Sequence, residues 1–83
     1  MNIEKKYLDL VEFKCLAYGW ILSNHVKDVM KSVMMTRDKV WQGGGGVQSI
    51  LSNDLRQAIN HCDGEIVKHL KELVIARDNF FIK

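Results

Sequence analysis

From Leu8 onward the apolar side chains recur in steps that are mostly three and four: Leu8, Val11, Cys15, Tyr18, Leu22, Val26, Val29, Val33 and Val40. That spacing is the period of an α-helix and not the alternation of a half-buried strand. Nothing interrupts it, because the 83 residues include no proline. Glu4, Lys5, Lys6, Asp9, Glu12 and Lys14 occupy the remaining positions and read as a solvated face. Lys5 and Asp9 lie one turn apart and can pair weakly.

Two readings of this half stand. A single helix over residues 3–41 would extend roughly 58 Å at 1.5 Å per residue. Alternatively the chain turns at Ser23-Asn24, and one of these residues caps a second helix over 24–41. The first helix also carries a second apolar line, with Leu10, Phe13, Ala17, Trp20 and Ile21 beside Cys15, Tyr18 and Leu22. A helix that is apolar on two sides is either central in its bundle or shared with another chain. Gly19 costs about 1 kcal/mol of helix propensity. It either lets a neighbouring helix approach or is simply tolerated.

The second half repeats the pattern with Val47, Ile50 or Leu51, Leu55, Ala58 or Ile59, and Cys62. Ser49 or Ser52 can cap this helix, and Asp54 suits an early-turn position. Asp63-Gly64 then punctuates the chain. Gly64 can close the preceding helix in the left-handed region, or Asp63 can cap the next one. That last helix carries Ile66, Val67, Leu70, Leu73 and Val74 and runs to about Asn79. Phe80, Phe81 and Ile82 either pack back onto the bundle or anchor a partner. The expectation is an all-α domain over residues 1–83, a bundle of three or four helices at about 3–22, 24–41, 49–62 and 64–79.

Between the halves stand four consecutive glycines, Gly43–Gly46, against only two elsewhere. One left-handed residue suffices to end a helix. The run is no phosphate loop, because Val47-Gln48-Ser49 follows where Gly-Lys-Ser/Thr is required. The dinucleotide pattern fails as well: Gln48 occupies the last glycine position and no strand precedes the run. As a flexible tether it spans roughly 10–12 Å, which suits two antiparallel helices about 8–10 Å apart. Residues 43–46 are therefore read as a flexible linker, either a natural glycine-rich turn or an engineered one. An engineered linker would replace a native loop or join residues 47–83 to residues 1–42.

Composition narrows the function. At 47% apolar residues the chain is globular rather than disordered. Seven basic and five acidic side chains precede Gly43, and five of each follow. Strong nucleic-acid binders usually carry a clearer basic excess. Cys15 and Cys62 are read as reduced core residues, since a free thiol in an apolar helical pattern acts as a small hydrophobe. No apolar run reaches the about eighteen residues that a membrane span needs. The opening residues mix charges where a signal peptide has an apolar stretch. A cytoplasmic protein that does not enter the membrane is expected.

Chemistry is the weakest reading. His25, His61 and His69 are the candidate bases or ligands. With Asp28 three residues after His25 and Glu65 four before His69, a two-His, two-carboxylate site is conceivable on facing helices. Paired Glu-x-x-His motifs are missing, however. Cys62 and His61 are sequence neighbours and point about 100° apart on a helix, poor geometry for sharing a proton. No catalytic residue, cofactor or metal is assigned, and the protein is not expected to be an enzyme.

Two binding readings remain. Residues 55–73 have a helix-turn-helix outline, which would offer Lys68, His69 and Lys71 to a nucleic-acid groove and Arg56, Lys27 and Lys31 to phosphates. The favoured reading is a protein-interaction module, regulatory, inhibitory or assembly-related. Its partner is another protein or a second copy of the chain, with a homodimer the leading form. Phe13, Trp20, Ile21, Met30, Met34, Trp41, Phe80 and Phe81 are its expected interface, since aromatic and methionine side chains are adaptable anchors.

Overall fold

The computed structural model describes residues 3–82, so Met1, Asn2 and Lys83 of the expected domain lie outside the described residues. The fold is all-α. The helices are α1 (Ile3–Tyr18), α2 (Asn24–Arg37), α3 (Gly45–Leu51), α4 (Leu55–His61), α5 (Gly64–Lys68) and α6 (Leu70–Asn79). The expected four-helix pattern is thus present but further divided. The continuous first helix is not, and the reasons are local.

Gly19 ends α1 with φ +71°. The Trp20 amide returns to Cys15 O at 2.9 Å and the Gly19 amide to Leu16 O at 3.3 Å. This is the paired bonding of a left-handed helix stop. A Cβ at Gly19 would meet nothing within 4 Å. The glycine serves backbone conformation, not the close approach of a neighbour. Ser23 then caps α2, its hydroxyl accepting the Val26 amide at 3.2 Å.

The same stop recurs without glycine. Lys39 has φ 64° and Asn53 φ 62°. Val40 N–H reaches Met35 O at 3.0 Å, and Asp54 N–H reaches Ser49 O at 2.9 Å. These turns end α2 at Arg37 instead of residue 41, and split the expected helix 49–62 into α3 and α4. Asp54 is the N-cap of α4, accepting the Gln57 amide at 3.2 Å. Ser49 is instead buried inside α3, where its hydroxyl donates to Gly45 O. Asp63 caps α5, and Gly64 is the first residue of that helix. The expected helix 64–79 is interrupted at His69, whose amide bonds to Ile66 O, a tightened final turn.

α2 lies at the centre, packed against α1, α3, α5 and α6. Its buried residues are Val26, Met30, Lys31, Val33, Met34 and Met35. α1 runs antiparallel to it, with Glu12 bonded to Lys27 and Glu4 to Lys31. α1 buries only one stripe, Tyr7, Val11 and Cys15. It is a peripheral helix, and of its second apolar line Leu10 and Trp20 pack partly against the core while Phe13, Ala17 and Ile21 stay exposed.

The glycine run is only partly a connector. Gly45 and Gly46 form the first turn of α3, and Gly44 is its N-cap. A Cβ on Gly43 would stand 2.7 Å from Val47 Cβ and 3.0 Å from Thr36 Oγ1. Neither the Val47 Cβ nor the backbone carrying it can rotate away. Gly43→Ala is expected to lower stability by about 1–3 kcal/mol. Gly44 has open space and an extended backbone (φ −75°, ψ −172°), so Gly44→Ser adds a capping hydroxyl and gains a few tenths of a kcal/mol. Urea denaturation of the two variants checks the contrast. Equal midpoints would mean that Gly43 and Gly44 tolerate a side chain equally.

Candidate protein-interaction face

α1 is helical through Tyr18 and in contact with α2 along Tyr7, Val11 and Cys15. At 100° per residue, Phe13 and Leu16 then fall on the opposite side. They are 64% and 83% exposed, and Ile21, beyond the helix end, is 98% exposed. Ala17 is exposed beside them, and Leu10 is half-buried. At one flank the C-terminal segment returns along α1. Phe81 and Ile82 face Leu10, Phe13, Lys6, Asp9 and Lys14 across an open groove of about 430 Å³.

Phe80 fixes that segment. It is fully buried, its ring 5.4 Å from Tyr18 and 5.8 Å from Trp20. Lys14 Nζ lies 5.4 Å from the Phe80 ring centroid. Arg37 sits 4.2 Å from the Phe81 ring. The same guanidinium donates to Ala76 O at 3.3 Å and Arg77 O at 2.9 Å, carbonyls at the end of α6. It also forks onto Asp38, with Nε to Oδ1 and Nη2 to Oδ2 both at 2.8 Å. Tyr7 OH donates to the same carboxylate at 2.7 Å. The guanidinium holds the Asp38 carboxyl below its ordinary range, outweighing the opposing effect of burial. Burial, with the bond to Asp38, pushes the Tyr7 phenol up to about 12. One residue pair therefore ties α1, α2, α6 and the C-terminal segment together.

The expected interface set divides on this geometry. Phe13, Ile21, Trp41 and Phe81 are exposed. Trp20 is half-buried against the core, stacked 4.8 Å from Tyr18. Met30, Met34 and Phe80 are corrections: all three are fully buried within this chain and present no surface. The two methionines follow Val26 at four-residue steps on the inner face of the central helix, where a flexible thioether fills gaps. Trp41 lies apart from the α1 face, beside Glu4, Asp28, Lys31, Ser32 and Met35. Leu16 was not among the expected residues, although its position three after Phe13 carries the signal.

The nucleic-acid set fares differently. Lys27 and Lys31 turn inward to acids: Lys27 pairs with Glu12 at 3.2 Å, and the buried Lys31 with Glu4 and with Asp28, the latter at 2.9 Å. Neither ammonium is directed at phosphate. Arg56, Lys68 and Lys71 are exposed on α4, α5 and α6. The break at His69 leaves no continuous recognition helix, and His69 Nδ1 bonds Glu72 at 3.1 Å.

His25 and His61 line one open pocket together with Cys62 and Asp63, and His69 lies outside it. His61 bonds Gln57 at 3.0 Å, while His25 Nε2 meets Asp63 Oδ2 at 2.6 Å. Among the described residues no group of three or more His, Cys, Asp and Glu is placed to hold a metal ion. Cys15 and Cys62 are both free thiols, and burial raises the pKa of each. No described helix is long and apolar enough to cross a membrane.

The His25–Asp63 bond links the first turn of α2 to the cap of α5, and it raises the His25 pKa. Such a group stabilises the fold fully below its unfolded pKa, and the contribution is lost as pH rises through the folded value. Asp63→Asn keeps the cap, because asparagine caps as well as aspartate, but removes the charge. In an NMR titration the His25 midpoint is expected to fall in this variant. An unchanged midpoint would show that Asp63 does not set it.

No protein-family model matches this chain, and no curated protein or solved structure matches it either. The fold and its surface are therefore the grounds for a functional reading.

Proposed function

We propose that this is a small non-enzymatic protein-interaction module that works by docking the outer face of α1 and the adjoining Phe81-Ile82 segment. One observation carries the reading. α1 is peripheral and yet apolar on both sides, so Phe13, Leu16 and Ile21 face water without a role in this chain's core. Contiguous apolar surface of this kind marks interaction sites on small proteins. Regulation, inhibition or assembly by occlusion of a partner surface are the modes open to such a module, in the cytoplasm.

A photo-crosslinking residue placed at Leu16 tests this, with Lys71 as control. Protein adducts in cells at position 16, and none at position 71, are the expected result. No protein adduct at position 16, together with a salt-dependent gel shift on DNA or RNA lost on replacing Arg56, Lys68 and Lys71, would favour nucleic-acid binding instead.

A further inference from the structure

We infer that the occupant of the α1 face is a second copy of this chain, in a two-fold dimer whose axis passes near Phe13. The inference rests on the interaction-module reading and gives it a partner and a geometry. Its first support is area. With residue areas of about 150–250 Å² and their fractional exposures, Phe13, Leu16, Ile21, Phe81 and Ile82 leave roughly 500–800 Å² open to water. A typical monomer's largest apolar patch is about 300–600 Å². About 800 Å² per partner is what a stable complex of standard size covers.

Self-complementarity is the second support. A two-fold interface needs a projection and a recess on the same face, so that each copy fills the other. Leu16 is the projection, at 83% exposure. The recess is the groove between Leu10 and Phe13 on one side and Phe81 and Ile82 on the other. Phe13 lies three residues after Leu10 and three before Leu16. Leu10 and Leu16 lie about 120° apart around the helix, on opposite flanks of Phe13, so two α1 helices must cross steeply at Phe13, along their i±3 rows, for Leu16 of each copy to enter the groove that Leu10, Phe81 and Ile82 of the other line. Phe13 meets its own counterpart at the axis. Charge agrees: the groove carries Lys6 and Lys14 against Asp9, a mixed rim that favours no strongly charged partner.

Sedimentation velocity on the full chain over a concentration series tests this, with two variants. The wild type is expected to reach twice the 9.6 kDa chain mass. Leu16→Lys, at an exposed position, is expected to keep its far-UV circular dichroism and to weaken the dimer at least about tenfold. Phe13→Cys is expected to form a covalent dimer on mild oxidation, since a disulfide requires Cα atoms within about 7 Å. The wild type, with only Cys15 and Cys62, is the control. A wild type that stays monomeric up to about 1 mM would overturn the second-copy inference, and so would a dimer indifferent to Leu16→Lys or a Phe13→Cys chain that does not cross-link. None of these touches the interaction-module reading, which adducts to foreign proteins at position 16 would still sustain.

Discussion

Phe80→Ala is expected to lower the free energy of unfolding by about 3–5 kcal/mol, the range for deleting a buried phenylalanine ring. Phe80 is fully buried and closes a cluster with Tyr18 and Trp20. It is also the point where the chain beyond α6 is held against α1. A domain of this size has only about 4–12 kcal/mol in total, so the loss is a large share of it. Phe81→Ala is the internal control. Its ring is 51% exposed and stacks on Arg37, a contact worth about 0.5–1 kcal/mol at exposed sites. Urea denaturation of both variants reads the difference. Similar losses from the two neighbours would mean that the burial of Phe80 is misassigned.

Arg37→Ala is expected to cost about 2–4 kcal/mol. The guanidinium satisfies the Ala76 and Arg77 carbonyls at the end of α6 and the Asp38 carboxylate beside it. Hydrogen bonds to charged groups contribute about 1.5–3 kcal/mol, and their loss leaves partly buried acceptors unpaired. The pH dependence carries the same signature. The Asp38 pKa is lowered in the fold, so its contribution is present above the ordinary carboxylate pKa and disappears as pH falls through the folded value. Arg37→Ala is therefore expected to lower stability most near neutral pH and least in strong acid, where Asp38 is protonated in both proteins. A loss of the same size at pH 2 and pH 7 would assign the effect of Arg37 to packing alone.

Helical content and several boundaries were legible because their causes are local. Ser23 and Asp63 are short polar side chains that bond an amide three residues on, and each does so here. Gly19 stops α1 because its backbone enters the left-handed region freely. Asn53 makes the same turn with a side chain that tolerates this region, whereas Lys39 makes it without any such signature. Lysine enters that region at a cost, so nothing in its identity announces the stop. The Arg37–Asp38–Tyr7 bonds were invisible for another reason: Tyr7 and Asp38 are 31 positions apart. No periodicity pairs them.

For the candidate face, the residue types were legible and their exposure was not. Met30, Met34 and Phe80 resemble interface residues in composition, as Phe13, Ile21 and Phe81 do. All six are apolar and sit on helices or beside them.

Helical periodicity without proline, together with 83 residues, determined that this chain is an all-α domain with apolar surface to spare, because period and propensity act over one or two turns. Only the tertiary structure decided that α2 takes the centre and α1 the edge. That choice depends on which stripes pack against one another across the chain. It alone separates the apolar residues that hold the fold together from those left facing water.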